Sequence, residues 1–140
     1  MTYRFTARAT ATESAPDGRF TQAALAEGED GSGFLLVFLA GAEEPDDQEA
    51  ALGMDTYCLV TAGGGTAYGC VREAVLTGAV LRVALDPEAL EDLRADDSRI
   101  EAVVEAVIEA PADDLARFRE ALARVLSYGR ADARPRRLAV

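Results

Sequence analysis

The chain has 140 residues, 49 % of them hydrophobic, and a formal net charge of −11. That length favours a single domain with a real core, and the apolar share is enough to fold without metals or disulfides. The absence of His, Lys and Trp excludes an imidazole base, a Schiff-base lysine and a His-ligated metal, so neither a metal nor a cofactor is expected.

The N-terminus Met1-Thr-Tyr-Arg-Phe shows no secretion signal, which makes a cytoplasmic location the expectation. Tyr3, Phe5, Ala7 and Ala9 then alternate with Arg4, Thr6, Arg8 and Thr10, the period of a half-buried strand. Pro16-Asp17-Gly18 is a turn signal, and Phe20 to Ala26 reads as a second strand that pairs with the first. Glu27 to Gly33 is a polar turn. Phe34 to Ala40 is the longest apolar run, at seven residues; Phe34 to Leu39 suits a central buried strand, and the run is far too short to cross a bilayer.

Five acids, Glu43, Glu44, Asp46, Asp47 and Glu49, crowd around Pro45. The segment is either a solvated loop or a short helix capped by Asp46 or Asp47 and stopped at Gly53. Next come two runs rich in β-formers on either side of Gly63-Gly64-Gly65, the pattern of a β-hairpin. Thr77-Gly78-Ala79 is a turn between strands Val71–Leu76 and Val80–Leu85. Asp86-Pro87-Glu88 starts a short helix that buries Leu90 and Leu93: Asp at the N-cap, Pro at the first helical position, an acid in the first turn.

Residues 100–109 fit two patterns. Ile100, Val103, Val104, Val107 and Ile108 have helical spacing, and Ser98 with Glu101 resembles a capping box. The same stretch alternates, is rich in β-branched residues, and would stack Glu101, Glu105 and Glu109 along one helix face. A strand is expected. Pro111 then opens a last helix whose stripe Leu115, Phe118, Leu122, Val125 and Leu126 needs a sheet face to cover, with Gly129 ending it. The stretch 129–140 holds four Arg against one Asp, so the other 128 residues carry −14. It is expected to be a flexible tail on a single domain of residues 1–128. The fold class expected is α+β: a mostly antiparallel sheet of six or seven strands, a long C-terminal helix on one face and short helices at the edges.

The run Gly-Met-Asp-Thr-Tyr-Cys-Leu-Val (53–60), its Gly-rich turn, and Tyr68-Gly69 followed by Val71 resemble the central motif of the immunity protein 10 family. The resemblance extends over about residues 34 to 127, including the acidic Asp-x-Gln segment at 46–48. Cys70 departs from it, since the family more often has glycine there. The resemblance implies a strand before the last helix. It also implies a protein that binds a cognate bacterial toxin domain stoichiometrically and blocks its active site.

A body this acidic repels nucleic acid and anionic membrane and attracts basic proteins, of which a phosphate-binding nuclease is one. Solubility alone also accounts for the charge. The partner-binding residues expected are Glu43, Glu44, Asp46, Asp47 and Glu49, with Tyr57 and Tyr68 as candidate aromatic anchors. The two tyrosines have opposite parity, so only one of them fits an interface. A hairpin symmetric about Gly64 would set Cys58 opposite Cys70, as reduced core thiols, as a disulfide, or in a catalytic or metal role that no His and no second Cys pair supports. The three glycines lack the lysine and following helix of a phosphate loop. Paired carboxylates at Asp46/Asp47 and Asp96/Asp97 lie in loop-like segments, where solvation is the plainer reading than catalysis or cation binding. The competing functions are an acidic adaptor or regulatory subunit without a toxin partner, and an enzyme using carboxylates alone.

Overall fold

A computed structural model describes residues 2–14, 20–41, 56–61, 65–94, 100–128 and 134–140. The fold is α+β. Among the described residues ten strands form two five-stranded sheets, where one sheet of six or seven strands was expected. In chain order the strands are β1 (Thr2–Ala7), β2 (Ala9–Ser14), β3 (Phe20–Ala26), β4 (Leu35–Gly41), β5 (Cys58–Thr61), β6 (Thr66–Tyr68), β7 (Val71–Thr77), β8 (Val80–Leu85), β9 (Val103–Ile108) and β10 (Arg137–Ala139). A 3-10 turn, Pro87–Ala89, leads into α1 (Leu90–Leu93), and α2 spans Ala112–Leu126. Sheet I has the order β1-β9-β8-β7-β10 and sheet II the order β2-β3-β4-β5-β6.

The two-sheet arrangement arises at two points where the chain changes partners. The N-terminal alternation is continuous from Tyr3 to Thr10, yet it serves both sheets. The Ala7 carbonyl accepts the Glu109 N–H in sheet I, and the next N–H, that of Arg8, donates to the Ala26 carbonyl in sheet II. Thus β1 runs parallel to β9, while β2 forms the antiparallel partner of β3. The second crossing follows β6, where Gly69 takes a positive φ of 61° and the chain passes through Cys70 into β7. A left-handed backbone of this kind favours glycine.

The two sheets share one core. Phe34, just before β4, packs against Tyr3 and Phe5 of β1, with ring centroids 4.6 and 4.8 Å away. Sheet I contributes Val83, Leu81, Val104 and Ala106, and sheet II contributes Leu25, Leu36, Phe38 and Leu59. The helix α2 lies against β2, β3 and β4 of sheet II. Phe118, Leu122, Val125 and Leu126 are fully buried along its stripe, and Leu115 is half-buried at its start. At 15 residues α2 is of ordinary length.

Residues 103–108 are a strand, as the alternation and β-branching favoured. The 3-10 turn that leads into α1 begins at its expected signal: the Asp86 carboxylate caps it by accepting the Glu88 N–H at 3.0 Å. The end of α1 is tied to the approach of β9, because Arg94 donates to the Ile100 carbonyl and pairs with Glu101 at 3.0 Å. Gly78, with φ 60°, closes the β7–β8 hairpin in the expected place. Within the stretch expected to be a flexible tail, Arg137–Ala139 form β10, paired in parallel with β7 at the edge of sheet I. Backbone pairing to an available edge needs no core side chains, so composition gave no sign of it.

Candidate interaction surface

The hairpin that carries the sequence motif has its own register. Cys58 lies opposite Tyr68, Leu59 opposite Ala67 and Val60 opposite Thr66. This centres the hairpin one residue before Gly64, and Cys58 does not face Cys70. The symmetric register expected from the three glycines is corrected by Gly65, which belongs to the strand side of the turn. Its carbonyl accepts the Thr61 N–H at 2.8 Å. A Cβ on Gly65 would stand 2.7 Å from the Leu93 carbonyl oxygen and 2.9 Å from that of Asp92. Glycine is needed there so that the hairpin can approach the end of α1. The Thr61 hydroxyl completes the contact, donating to the Leu93 carbonyl at 2.8 Å. Neither Thr61 nor Gly65 stood out in the sequence as a contact to a distant helix.

Both cysteines are free thiols. Cys70 is buried, and burial pushes its thiol up to about 12. Cys58 is half-buried and its thiol is also raised by burial. Thiols held in the neutral form are poor nucleophiles and poor metal ligands. Among the described residues no group of three or more His, Cys, Asp or Glu is placed to hold a metal ion.

The tyrosines separate as their parity required. Tyr57 is fully buried, and its hydroxyl both donates to the Val71 carbonyl and accepts the Val71 N–H, each at 3.0 Å. It fastens the motif hairpin to the first residue of sheet I beyond the crossing. A side chain enclosed in this way presents nothing to a partner, so Tyr57 acts as a structural clasp. Tyr68 is 43 % exposed and projects from the short strand β6. Of the two candidates it is the one available to a partner.

The acidic segment Glu43, Glu44, Asp46, Asp47 and Glu49 belongs to the connection between β4 and β5 and lies outside the described residues, as do Asp96, Asp97 and the turn at 16–18. Among the described residues several charges are paired. A groove between β2, β3 and α2 is lined by Glu13, Arg117, Glu120 and Arg124. Within it Arg117 pairs with Asp114 at 3.1 Å and Arg124 with Glu120 at 3.0 Å, so its cations are already neutralised. The outer face of sheet I mixes half-buried Val75, Val80, Val103 and Val107 with Arg4, Arg82 and Glu105, and Arg82 pairs with Glu105 at 3.4 Å. Among the described residues no helix is long and apolar enough to cross a membrane.

A family model described as Immunity protein 10 matches residues 6–116, a span that runs from β1 into α2. No curated protein and no solved structure matches the chain.

Proposed function

The chain belongs to the immunity protein 10 family, and on that premise we propose that it binds a cognate bacterial toxin domain and neutralises it by covering the active site or substrate groove. The family match over residues 6–116 is the observation that carries this reading. On this reading the inhibition is stoichiometric, the chain performs no catalysis, and it acts in the cytoplasm where the toxin would do harm. The raised thiols and locally paired carboxylates described above are consistent with a binding protein.

The net charge of −11 supports a partner with a basic face. Opposite charge speeds diffusional encounter, and an acidic inhibitor mimics the phosphate-rich substrate of a nuclease. The docking surface proposed is the acidic segment Glu43, Glu44, Asp46, Asp47 and Glu49, together with exposed Tyr68 on the neighbouring hairpin. The test is co-expression with the cognate toxin domain. Growth rescue and a one-to-one complex are expected. A chain that neither rescues growth nor binds that toxin would end the immunity assignment.

A further inference from the structure

The outer faces of the two sheets differ in kind. On sheet I the register sets Arg4, Glu105 and Arg82 side by side across β1, β9 and β8, and Arg82 pairs with Glu105 at 3.4 Å. Opposite charges laid across strands suit a face left in water. On sheet II the register sets Leu39, Cys58 and Tyr68 in one row across β4, β5 and β6, and Val37, Val60 and Thr66 in the next. Among the described residues Glu13, at the β2 margin, is the one charged strand residue on this face.

This apolar face is separate from the core. Leu35, Val37, Leu39, Cys58 and Val60 are half-buried, and none of them belongs to the core or packs against it. Even Ala24 and Ala26, buried beside Val37 and Leu35, stand outside it. The core takes the alternate residues, such as Leu25, Leu36, Phe38 and Leu59, and the buried stripe of α2 packs with those. Strands about 4.8 Å apart, with same-face residues about 6.8 Å apart along each, give the patch an area of about 300 Å². That reaches the size of the largest apolar patch on a typical monomer, which is commonly a binding surface.

We propose that the outer face of sheet II is the apolar centre of the toxin contact, and that it takes a partner surface whose own apolar patch is ringed by basic residues. This rests on the immunity reading above and adds to it the surface around Tyr68 that holds the complex together. Charge selects the occupant. The connection from Gly41 of β4 to Cys58 of β5 carries five acids, and it starts and ends at the Leu39 end of the patch. A second copy seated there would bring a further charge of −11 against the first, whereas a basic protein brings the opposite sign. Area points the same way. Obligate homodimers bury about 2,000 Å² or more in total, while a patch of this size suits the centre of a standard interface of about 800 Å² per partner, completed by a polar rim.

The test is hydroxyl-radical footprinting of the wild-type chain, free and in its complex with the cognate toxin domain. Leu35, Leu39, Cys58 and Tyr68 should be oxidised in the free chain and severalfold more slowly in the complex. In rapid mixing, Val60→Glu should speed dissociation about tenfold or more, since it buries an unpaired carboxylate. Its added negative charge should leave association with a basic partner undiminished. The proposal is overturned if a complex forms with protection confined to other faces, or if a folded Val60→Glu chain binds as tightly as the wild type. Either result leaves the immunity reading standing. Should Val60→Glu fail to fold, the wild-type footprint decides alone. Oxidation in the free chain as slow as at core Leu25 would mean that the chain covers this face itself, and overturns it. So does wild-type self-association that Val60→Glu abolishes, because the occupant is then a second copy. A chain that neither binds the toxin nor rescues growth ends both readings together.

Discussion

The hydroxyl of Tyr57 and the backbone of Val71 form a closed two-way hydrogen-bonded contact, both bonds at 3.0 Å, across the point where the chain leaves sheet II for sheet I. Val71 is 2 % exposed and Tyr57 is fully buried, so water cannot replace either partner. Tyr57→Phe should therefore leave a buried N–H and a buried C=O unpaired, at about 1–3 kcal/mol for each group that finds no substitute. Chemical denaturation measures the loss. Toxin dissociation should be unchanged, because the hydroxyl faces inward. An unaltered denaturation midpoint would show that the clasp contributes nothing.

Phe118 is the largest side chain that α2 places in the core, and it is fully buried. Phe118→Ala removes a ring where α2 meets β2, β3 and β4, and the cavity should cost about 3–5 kcal/mol. A lowered midpoint with unchanged denaturant slope is the expected result. An unchanged midpoint would mean that α2 does not secure sheet II.

What the sequence revealed and what it withheld divide along a physical line. Period and capping chemistry are local, so the strand at 103–108, the Asp86 cap, the Gly78 turn and the stripe of α2 were all legible. Partner choice is not local. Nothing in the alternation of Tyr3 to Thr10 marks Arg8 as the residue where one strand begins to serve a second sheet. The hairpin register failed for a related reason. Three adjacent glycines suggest a symmetric loop, but Gly65 is glycine because two carbonyls of α1 approach it, a contact some thirty positions away in sequence. The site was legible in part. Opposite parity required the two tyrosines to differ, and burial decided which one is exposed. β10 could not be anticipated, because it rests on main-chain pairing and leaves no apolar signature.

Cys70 gives the fold a defined alkaline weakness. Burial raises its folded-state pKa from an ordinary value of 9.0 to about 12. The unfolded thiol ionises first, so stability is fully present below pH 9 and falls as pH rises through the interval up to about 12. The slope should reach about 1.4 kcal/mol per pH unit for this one group. Tyr57, also raised by burial, adds a second loss that begins above its ordinary value of 10.0. Cys70→Ala should flatten the first part of the decline and leave the second. Denaturation midpoints taken across the alkaline range test this, and identical slopes for wild type and Cys70→Ala would refute it. In the same protein at neutral pH, Cys70 should alkylate far more slowly than a free thiol.

The proposed docking surface predicts a division of labour between charge and anchor. The acids Asp46 and Asp47 belong to a five-acid segment on a chain of net charge −11, and rim charges act mainly through long-range attraction. Such attraction is screened over about 8–10 Å at physiological ionic strength. Neutralising both, as Asp46→Asn with Asp47→Asn, should slow association with the toxin domain and flatten its dependence on salt, while dissociation changes little. Tyr68 is the converse case. It is 43 % exposed before binding, and an aromatic side chain desolvated at an interface chiefly governs how long a complex lasts. Tyr68→Ala should speed dissociation by about tenfold or more, corresponding to at least about 1.4 kcal/mol, with the association rate nearly intact. Rapid-mixing kinetics at low and high salt separate the two effects. If the chain rescues growth but its association ignores both salt and the Asp46/Asp47 change, the acidic segment is not the docking rim. If Tyr68→Ala leaves dissociation unaltered, the anchor lies on another face.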